Sequence, residues 1–177
     1  YRRDGTSAFS KDNRWGDFFS VGLGWNMKKE SWLRNVDWID LLKIRGSFGQ
    51  TGNDNHEQSL NHSSYYAYED IYNMTGANGV FSDGSLAYKG NPNLKWEKTN
   101  ALDFGADYSF WNGRLTGSLD YYFRATSNLL DYQRVAASNG YSSIPVNMGT
   151  VQNYGFEFEA NYGIFRNKDF KWDVSLN

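Results

Sequence analysis

Cysteine is absent from this chain, and proline and histidine occur only twice each. Without cysteine there are no disulfides and no thiolate metal sites. Exported proteins often avoid thiols, so an exported location stays open. The histidines, His56 and His62, are not at a helical ligand spacing. With Asp54 and Glu57 beside them they make only a weak metal case. No apolar run approaches the roughly 18 residues of a spanning helix. If the chain crosses a membrane, it does so as strands. The formal net charge is −2, which gives no electrostatic case for nucleic acid. Mean hydropathy is −0.71, a value that looks soluble. That average also hides a barrel, because water-facing residues cancel lipid-facing ones.

What is present in excess is aromatic: 18% of the residues are Phe, Tyr or Trp. They are arranged with period two. Phe19, Val21, Leu23, Trp25 and Met27 alternate with Ser20, Gly22, Gly24 and Asn26. Strand side chains point to opposite faces in turn, so this stretch is a strand with one apolar and one wet side. Five more stretches follow the rule. Leu42, Ile44 and Phe48 oppose Lys43 and Arg45. Leu102, Phe104, Tyr108 and Phe110 oppose Asp103 and Asp107. Leu115, Leu119, Tyr121 and Phe123 oppose Asp120 and Arg124. Tyr154, Phe156, Phe158, Tyr162 and Ile164 oppose Glu157, Glu159 and Asn161. Phe170, Trp172 and Val174 oppose Lys171 and Asp173.

Every charge in these stretches falls on the wet face. A Lys or Arg facing lipid at mid-bilayer costs about 2–4 kcal/mol, so a bilayer purges charge from one face. The connections also alternate in length. Residues 4–17, 51–97 and 128–150 are long; 28–40, 111–114 and 166–169 are short. Outer-membrane barrels have long extracellular loops and short periplasmic turns. Trp25, Tyr108, Phe110, Trp111, Phe165, Phe170 and Trp172 then gather near the periplasmic rim as an aromatic girdle. Asn112-Gly113 is a strong hairpin signal, since both residues tolerate positive φ. The 28–40 connector is expected to hold a short helical turn. The expected fold is all-β: a transmembrane antiparallel β-barrel segment. A soluble β-sandwich also alternates, but strand length, girdle and loop parity favour the barrel.

Several blocks occur in a familiar order. They are Arg3-Asp4-Gly5-Thr6-Ser7 with Asn13-Arg14-Trp15-Gly16, then Phe19 through Trp25, then Leu42 through Asn53. Asn91-Pro92-Asn93-Leu94-Lys95-Trp96-Glu97-Lys98-Thr99 follows, then Asn112 through Tyr122, Asn147 through Val151, and Gly155 through Glu159. With these blocks the chain resembles the SusC/RagA-type TonB-dependent outer-membrane transporters over essentially its whole length. The resemblance implies about seven strands from the C-terminal half of a barrel of roughly 22. Residues 1–177 would be part of one receptor β-barrel domain, with the plug domain and the barrel termini absent. The chain begins at Tyr1 and stops inside an alternating segment at Asn177, so it is expected to be a piece of a longer chain. The resemblance further implies active import of large nutrients, oligosaccharides or peptides, across the outer membrane of a Gram-negative bacterium. It implies a SusD-like lipoprotein partner, and TonB acting through a segment absent here. No cofactor is implied.

Candidate sites follow. Tyr65, Tyr66, Tyr68, Tyr72, Tyr88 and Trp96 lie in or at the end of the longest loop, where aromatics suit a sugar face or a protein lid. Lys43, Arg45, Asp103, Asp107, Asp120, Arg124, Glu157, Glu159 and Asp173 are expected to face the lumen. Phe19, Leu23, Trp25, Phe104, Tyr108, Phe158 and Trp172 are expected to face outer-membrane lipid. Glu157 and Glu159 lie about 7 Å apart on one strand face, a separation that suits an inverting glycosidase pair. A solvated lumen wall explains them better. No nucleophile–base pair stands out, so an enzyme is not expected. Loop Asp and Asn oxygens have the chemistry for calcium, but no ligand pattern supports a site. The competing reading is a soluble β-rich glycan-binding module that uses loop aromatics.

Overall fold

The computed structural model describes residues 1–55, 66–77 and 80–177. The all-β expectation holds: twelve strands and two short 3-10 turns are assigned among these residues. In chain order the strands are β1 (Arg2–Gly5), β2 (Trp15–Phe18), β3 (Ser20–Asn26), β4 (Ile39–Asn53), β5 (Ile71–Ala77) and β6 (Val80–Tyr88). They continue with β7 (Glu97–Phe110), β8 (Leu115–Ser127), β9 (Leu130–Arg134), β10 (Ser143–Asn147), β11 (Thr150–Arg166) and β12 (Lys171–Leu176).

The chain divides into two compact units. One, the loop unit, comprises residues 1–19, 50–99 and 126–151. It holds the three long connections and the strand ends that lead into them. These connections carry regular structure. Each carries a two-stranded hairpin: β1 with β2, β5 with β6, and β9 with β10. The chain opens on β1, paired with β2. The loop unit has its own core. Ala8, Phe9, Ala67 and Leu94 are buried together, with Trp96 and Leu130 packed against them.

The other, the sheet unit, comprises residues 20–49, 100–125 and 152–177. Its strands form one six-stranded sheet in the order β12-β11-β8-β7-β4-β3. The register of β3 on β4 pairs Val21 with Phe48, Leu23 with Gly46 and Trp25 with Ile44. Partners across a strand pair share a face, so the apolar residues of both strands gather on one side. Gly22, Gly24 and Asn26 meet Ser47, Arg45 and Lys43 on the other. The expected helical turn is present as a single 3-10 turn, Met27–Lys29. Its connector is held by Lys28, whose Nζ donates to the carbonyls of Leu33, Arg34 and Val36 at 3.3, 3.2 and 2.8 Å.

Two local features refine the expected strands. The β7–β8 turn is wider than a two-residue Asn-Gly hairpin. Trp111, Asn112 and Gly113 all have positive φ (55°, 55° and 70°). Asp40 on β4 accepts the Gly113 N–H at 2.8 Å and fixes that turn. The second feature is an irregularity in β11, where the register on β12 steps from Gly163 to Phe165. It corrects the expectation that Ile164 continues the apolar face. Phe165 takes that face and stacks on Trp172 with ring centroids 6.0 Å apart. Strict alternation would have turned Arg166 toward the apolar side. After the bulge it pairs instead with Asp173, at 3.4 Å.

Candidate functional site: a tied loop unit and a two-faced sheet

In the loop unit, residues 91–97 form a hub. The Asn91 side-chain amide donates to the Pro145 carbonyl at 2.8 Å. Asn93 N–H returns to Asn91 Oδ1 at 3.0 Å, an Asx turn that shapes the segment. The Lys95 N–H donates to Asn147 Oδ1 at 2.9 Å, and the Asn147 amide donates back to the Lys95 carbonyl at 2.8 Å. Ser10 Oγ donates to the Pro92 carbonyl at 2.8 Å. Trp96 Nε1–H donates to the Arg14 carbonyl at 3.1 Å. Its ring meets Phe9 and Phe18 edge-on at 5.8 and 5.7 Å. Glu97 accepts the Leu130 N–H at 3.2 Å. One seven-residue stretch therefore ties all three long connections by hydrogen bonds and aromatic packing. They form a single platform rather than three independent loops.

The β5–β6 hairpin is pinned at its base. Lys89 Nζ meets Asp70 Oδ2 at 2.7 Å, and the Gly90 N–H donates to Asp70 Oδ1 at 2.9 Å. The lysine bond first, and the Gly90 N–H after it, hold the Asp70 carboxyl below the usual carboxylate range. The Asp70 bond likewise raises Lys89. Gly90 has no room for a side chain, because a Cβ would collide with the Glu69 backbone.

This geometry sorts the loop aromatics. Tyr66 and Tyr72 are exposed (52% and 54%), and Tyr68 is half-buried, edge-on to Tyr66 at 6.3 Å. Tyr88 is corrected as a contact residue. Its ring is buried and its hydroxyl donates to the Ala67 carbonyl at 3.4 Å. Burial first, then the neighbouring Tyr132, pushes that hydroxyl far up from its usual pKa. Trp96 is half-buried, and its ring and N–H serve the hub. Tyr65, His56 and His62 lie outside the described residues.

In the sheet unit, the charged face is internally paired. Arg45 on β4 reaches Asp120 on β8 at 2.6 Å and Asp107 on β7 at 3.4 Å. It can do so because Gly105 lies between them on β7, where a Cβ would collide with both Asp120 and the guanidinium. Three strands are thus clamped across one face. Asp103, Arg124 and Glu157 line a cavity of about 420 Å³ beside this clamp. Arg124 lies 5.9 Å from the Tyr122 ring. Glu159 accepts from Asn161 at 2.9 Å. Lys43 pairs with Asn26 in the register, and Asp173 pairs with Arg166.

The opposite face is apolar and uncovered. Leu23, Trp25, Phe104, Phe158 and Trp172 are all about half or more exposed, and Phe156 is 77% exposed. Phe19, also half-exposed, belongs to the loop unit. Tyr108 reaches over Gly117 of β8, and its hydroxyl donates to the Glu159 carbonyl at 3.1 Å. A large side chain lying over a strand glycine covers backbone that would otherwise face an apolar medium. Buried apolar residues in this unit are limited to Leu33 and Ile39 among the described residues. A six-stranded sheet with one charged face and one bare apolar face has no core of its own. Contiguous apolar surface of that kind marks a membrane or protein contact.

Comparisons with known proteins agree with this geometry. The family described as TonB dependent receptor-like, beta-barrel matches residues 1–177. The chain is 39% identical over 177 residues to the TonB-dependent receptor SusC of Bacteroides thetaiotaomicron, covering 99% of this chain and 18% of that protein. It is 38% identical over 179 residues to TonB-dependent receptor P3 of Formosa agariphila, covering 99% of this chain and 17% of that one. Among solved structures, the RagAB peptide importer in its closed-closed state is similar with a TM-score of 0.81 at 26% identity, over 98% of this chain and 18% of that one. The chain spans less than one-fifth of the length of each of these relatives. Matched along all its residues, it belongs to the TonB-dependent receptor-like β-barrel family, of the SusC/RagA type, and is part of an outer-membrane barrel wall.

Proposed function

We propose that the chain is a wall segment of an importer that moves oligosaccharides or peptides across the outer membrane. The observation that carries this reading is the pairing of a bare apolar sheet face with a charged, internally clamped one, in a chain similar to both SusC and RagAB. In this reading the apolar face meets lipid. The face of Lys43, Arg45, Asp103, Asp107, Asp120, Arg124, Glu157, Glu159 and Asp173 lines the lumen and meets the plug. The loop unit is extracellular. It presents Tyr66, Tyr68 and Tyr72 to substrate or to a SusD-like lipoprotein lid. Energy arrives from TonB through a part of the protein outside this chain. The segment does no chemistry of its own, and needs no cofactor.

A soluble glycan-binding module fits less well. Dissolving it would leave a row of Phe, Leu and Trp side chains on one face in water. The test is uptake by cells expressing the complete parent protein. Changing Tyr66 and Tyr72 together to Ser should weaken uptake of the labelled oligosaccharide or peptide, or release the lipoprotein on purification. Unchanged uptake with unchanged lipoprotein retention would remove the loop tyrosines from the reading. Growth of a deletion strain on oligosaccharide or on peptide as sole nutrient would assign the substrate class.

A further inference from the structure

The β1–β2 hairpin of the loop unit has two unlike faces. Partners across a strand pair share a face, and the register pairs Arg3 with Asp17 and Gly5 with Trp15. Arg2 with Phe18 and Asp4 with Gly16 fall on the other side. That side turns inward: Gly16 and Phe18 are buried, and Phe18 meets Trp96 edge-on. The side of Arg3, Gly5, Trp15 and Asp17 is exposed at all four positions.

Trp15 is held on this outer face. Its ring lies across Gly5, with three ring carbons 2.7, 2.9 and 3.1 Å from where a Cβ at position 5 would stand. The Thr6 N–H donates to the Arg14 carbonyl at 3.2 Å, which continues the ladder past the Gly5–Trp15 pair and fixes the backbone beneath the ring. The ring is still 57% exposed.

The charges around it cancel. Arg3 Nε lies 3.5 Å from Asp17 Oδ1, and on the inner side Arg2 Nε lies 2.7 Å from Asp4 Oδ2. The Tyr1 hydroxyl also donates to Asp17 Oδ1, at 2.5 Å. Both outer-face contacts use Oδ1, so Oδ2 and the outer Arg3 nitrogens remain to serve a ligand. The Arg3 guanidinium stands 5.2 Å from the Trp15 ring centre. Trp15 and Asp17 are two residues apart, about 7 Å along one strand face. An exposed ring therefore has a donor fork and a carboxylate acceptor beside it, with no net charge between them.

We propose that this outer face binds one neutral sugar residue of an oligosaccharide, stacked on Trp15 and hydrogen-bonded by Arg3 and Asp17. A pyranose has the matching parts: a face of C–H groups and an edge of hydroxyls that both donate and accept. An acidic or cationic ligand meets no net charge here. An apolar one would strip water from Arg3 and Asp17 without replacing its hydrogen bonds. The proposal rests on the importer reading, and within it selects oligosaccharide over peptide.

The test uses the complete parent protein, purified in detergent. Maltohexaose, mannohexaose and xylohexaose are the neutral probes, hexagalacturonate the acidic one and hexa-alanine the peptide. Binding is titrated by saturation-transfer NMR, and uptake of the same compounds is measured in cells. At least one neutral hexaose should bind. Trp15→Leu, which keeps apolar cover but no flat ring, should weaken it about tenfold, the scale of one lost aromatic contact. Trp15→Phe should lose little. Asp17→Asn leaves Arg3 uncompensated and should shift preference toward hexagalacturonate. Each variant is first checked for the heat-modifiable band of a folded barrel. A neutral hexaose bound equally well by Trp15→Leu would overturn the site and leave the importer reading intact. So would binding and uptake of the peptide alone. Release of the lipoprotein by Trp15→Leu with sugar binding unchanged would make Trp15 a protein contact, and also overturn the site. Neither binding nor uptake of any probe would overturn the site and the importer reading together.

Discussion

Trp96→Ala should open the loop unit without opening the sheet. Trp96 contributes two edge-on ring contacts, a contact with the core of Phe9 and Leu94, and one hydrogen bond to Arg14. Truncating a buried Trp to Ala costs about 3–5 kcal/mol. Trp96 is half-buried, so the lower end, about 3 kcal/mol, applies. At about 1.4 kcal/mol per tenfold, the locally open population rises roughly a hundredfold. Trp96→Phe keeps the ring contacts and removes the indole bond to the Arg14 carbonyl, which still accepts the Thr6 N–H at 3.2 Å. It should cost about 1 kcal/mol, or roughly fivefold. The assay is proteolysis of intact cells carrying the full parent protein, with cleavage sites mapped by mass spectrometry. Proteolysis follows the open population when reclosing is faster than cleavage. Cleavage should rise within 1–19, 50–99 and 126–151 together, because Trp96 sits in the one stretch that ties all three. Cleavage that rises in one of these segments alone would refute the hub. An unchanged rate would refute it as well.

Three further outcomes follow from particular contacts. Gly117→Ala should block barrel assembly, read as loss of the heat-modifiable band on a gel, because its Cβ would collide with the Glu159 carbonyl between β8 and β11; Leu119→Ala on the same face should assemble. Gly90→Ala should loosen the β5–β6 hairpin, read as faster amide exchange there, because the Cβ has only the Glu69 backbone to enter. The Asp70–Lys89 pair should make hairpin protection depend on pH in a definite sense. Asp70 is lowered in the folded state, so its contribution is full above the ordinary carboxylate pKa of about 3.9 and is lost as pH falls through the lower folded value. Lys89 is raised, so its contribution is full below about 10.4 and is lost as pH rises through the higher folded value. Exchange protection of β5 and β6 should be level across neutral pH, and Asp70→Asn should abolish the acid limb.

The sheet was legible because a bilayer imposes a simple rule on sequence. Charge is excluded from one face, so β3, β7, β8 and β11 carry their orientation in plain alternation. The clamp of Arg45 with Asp107 and Asp120 could be placed on one face in advance, but not as a contact. Its register depends on Gly105 being small enough for the guanidinium to cross β7. The bulge in β11 had a faint trace. Strict alternation would have put Arg166 in lipid, and that conflict is the signal. The β5–β6 hairpin also has a sequence signal, the Asn78-Gly79 pair between two runs, though it lies inside the longest connection. The hub had none. Ser10 and Pro92 are 82 residues apart, and Asn91 and Pro145 are 54 apart. No local period carries contacts of that range, so Trp96 and Tyr88 read as exposed loop aromatics when they serve the interior.

Thiol labelling from outside the cell tests the central claim most directly, and the absence of cysteine from this chain makes it clean. Tyr66 is exposed in the loop unit, and Lys168 is exposed in the short connection before β12. Tyr66→Cys and Lys168→Cys are made separately in the full parent protein, freed of other reactive thiols, and intact cells are treated with a membrane-impermeant reagent. If the sheet spans the outer membrane with its long connections outside, position 66 is labelled at once. Position 168 is labelled only after the outer membrane is opened. Equal labelling of both positions in intact cells would place long and short connections in one compartment and contradict a membrane-spanning wall.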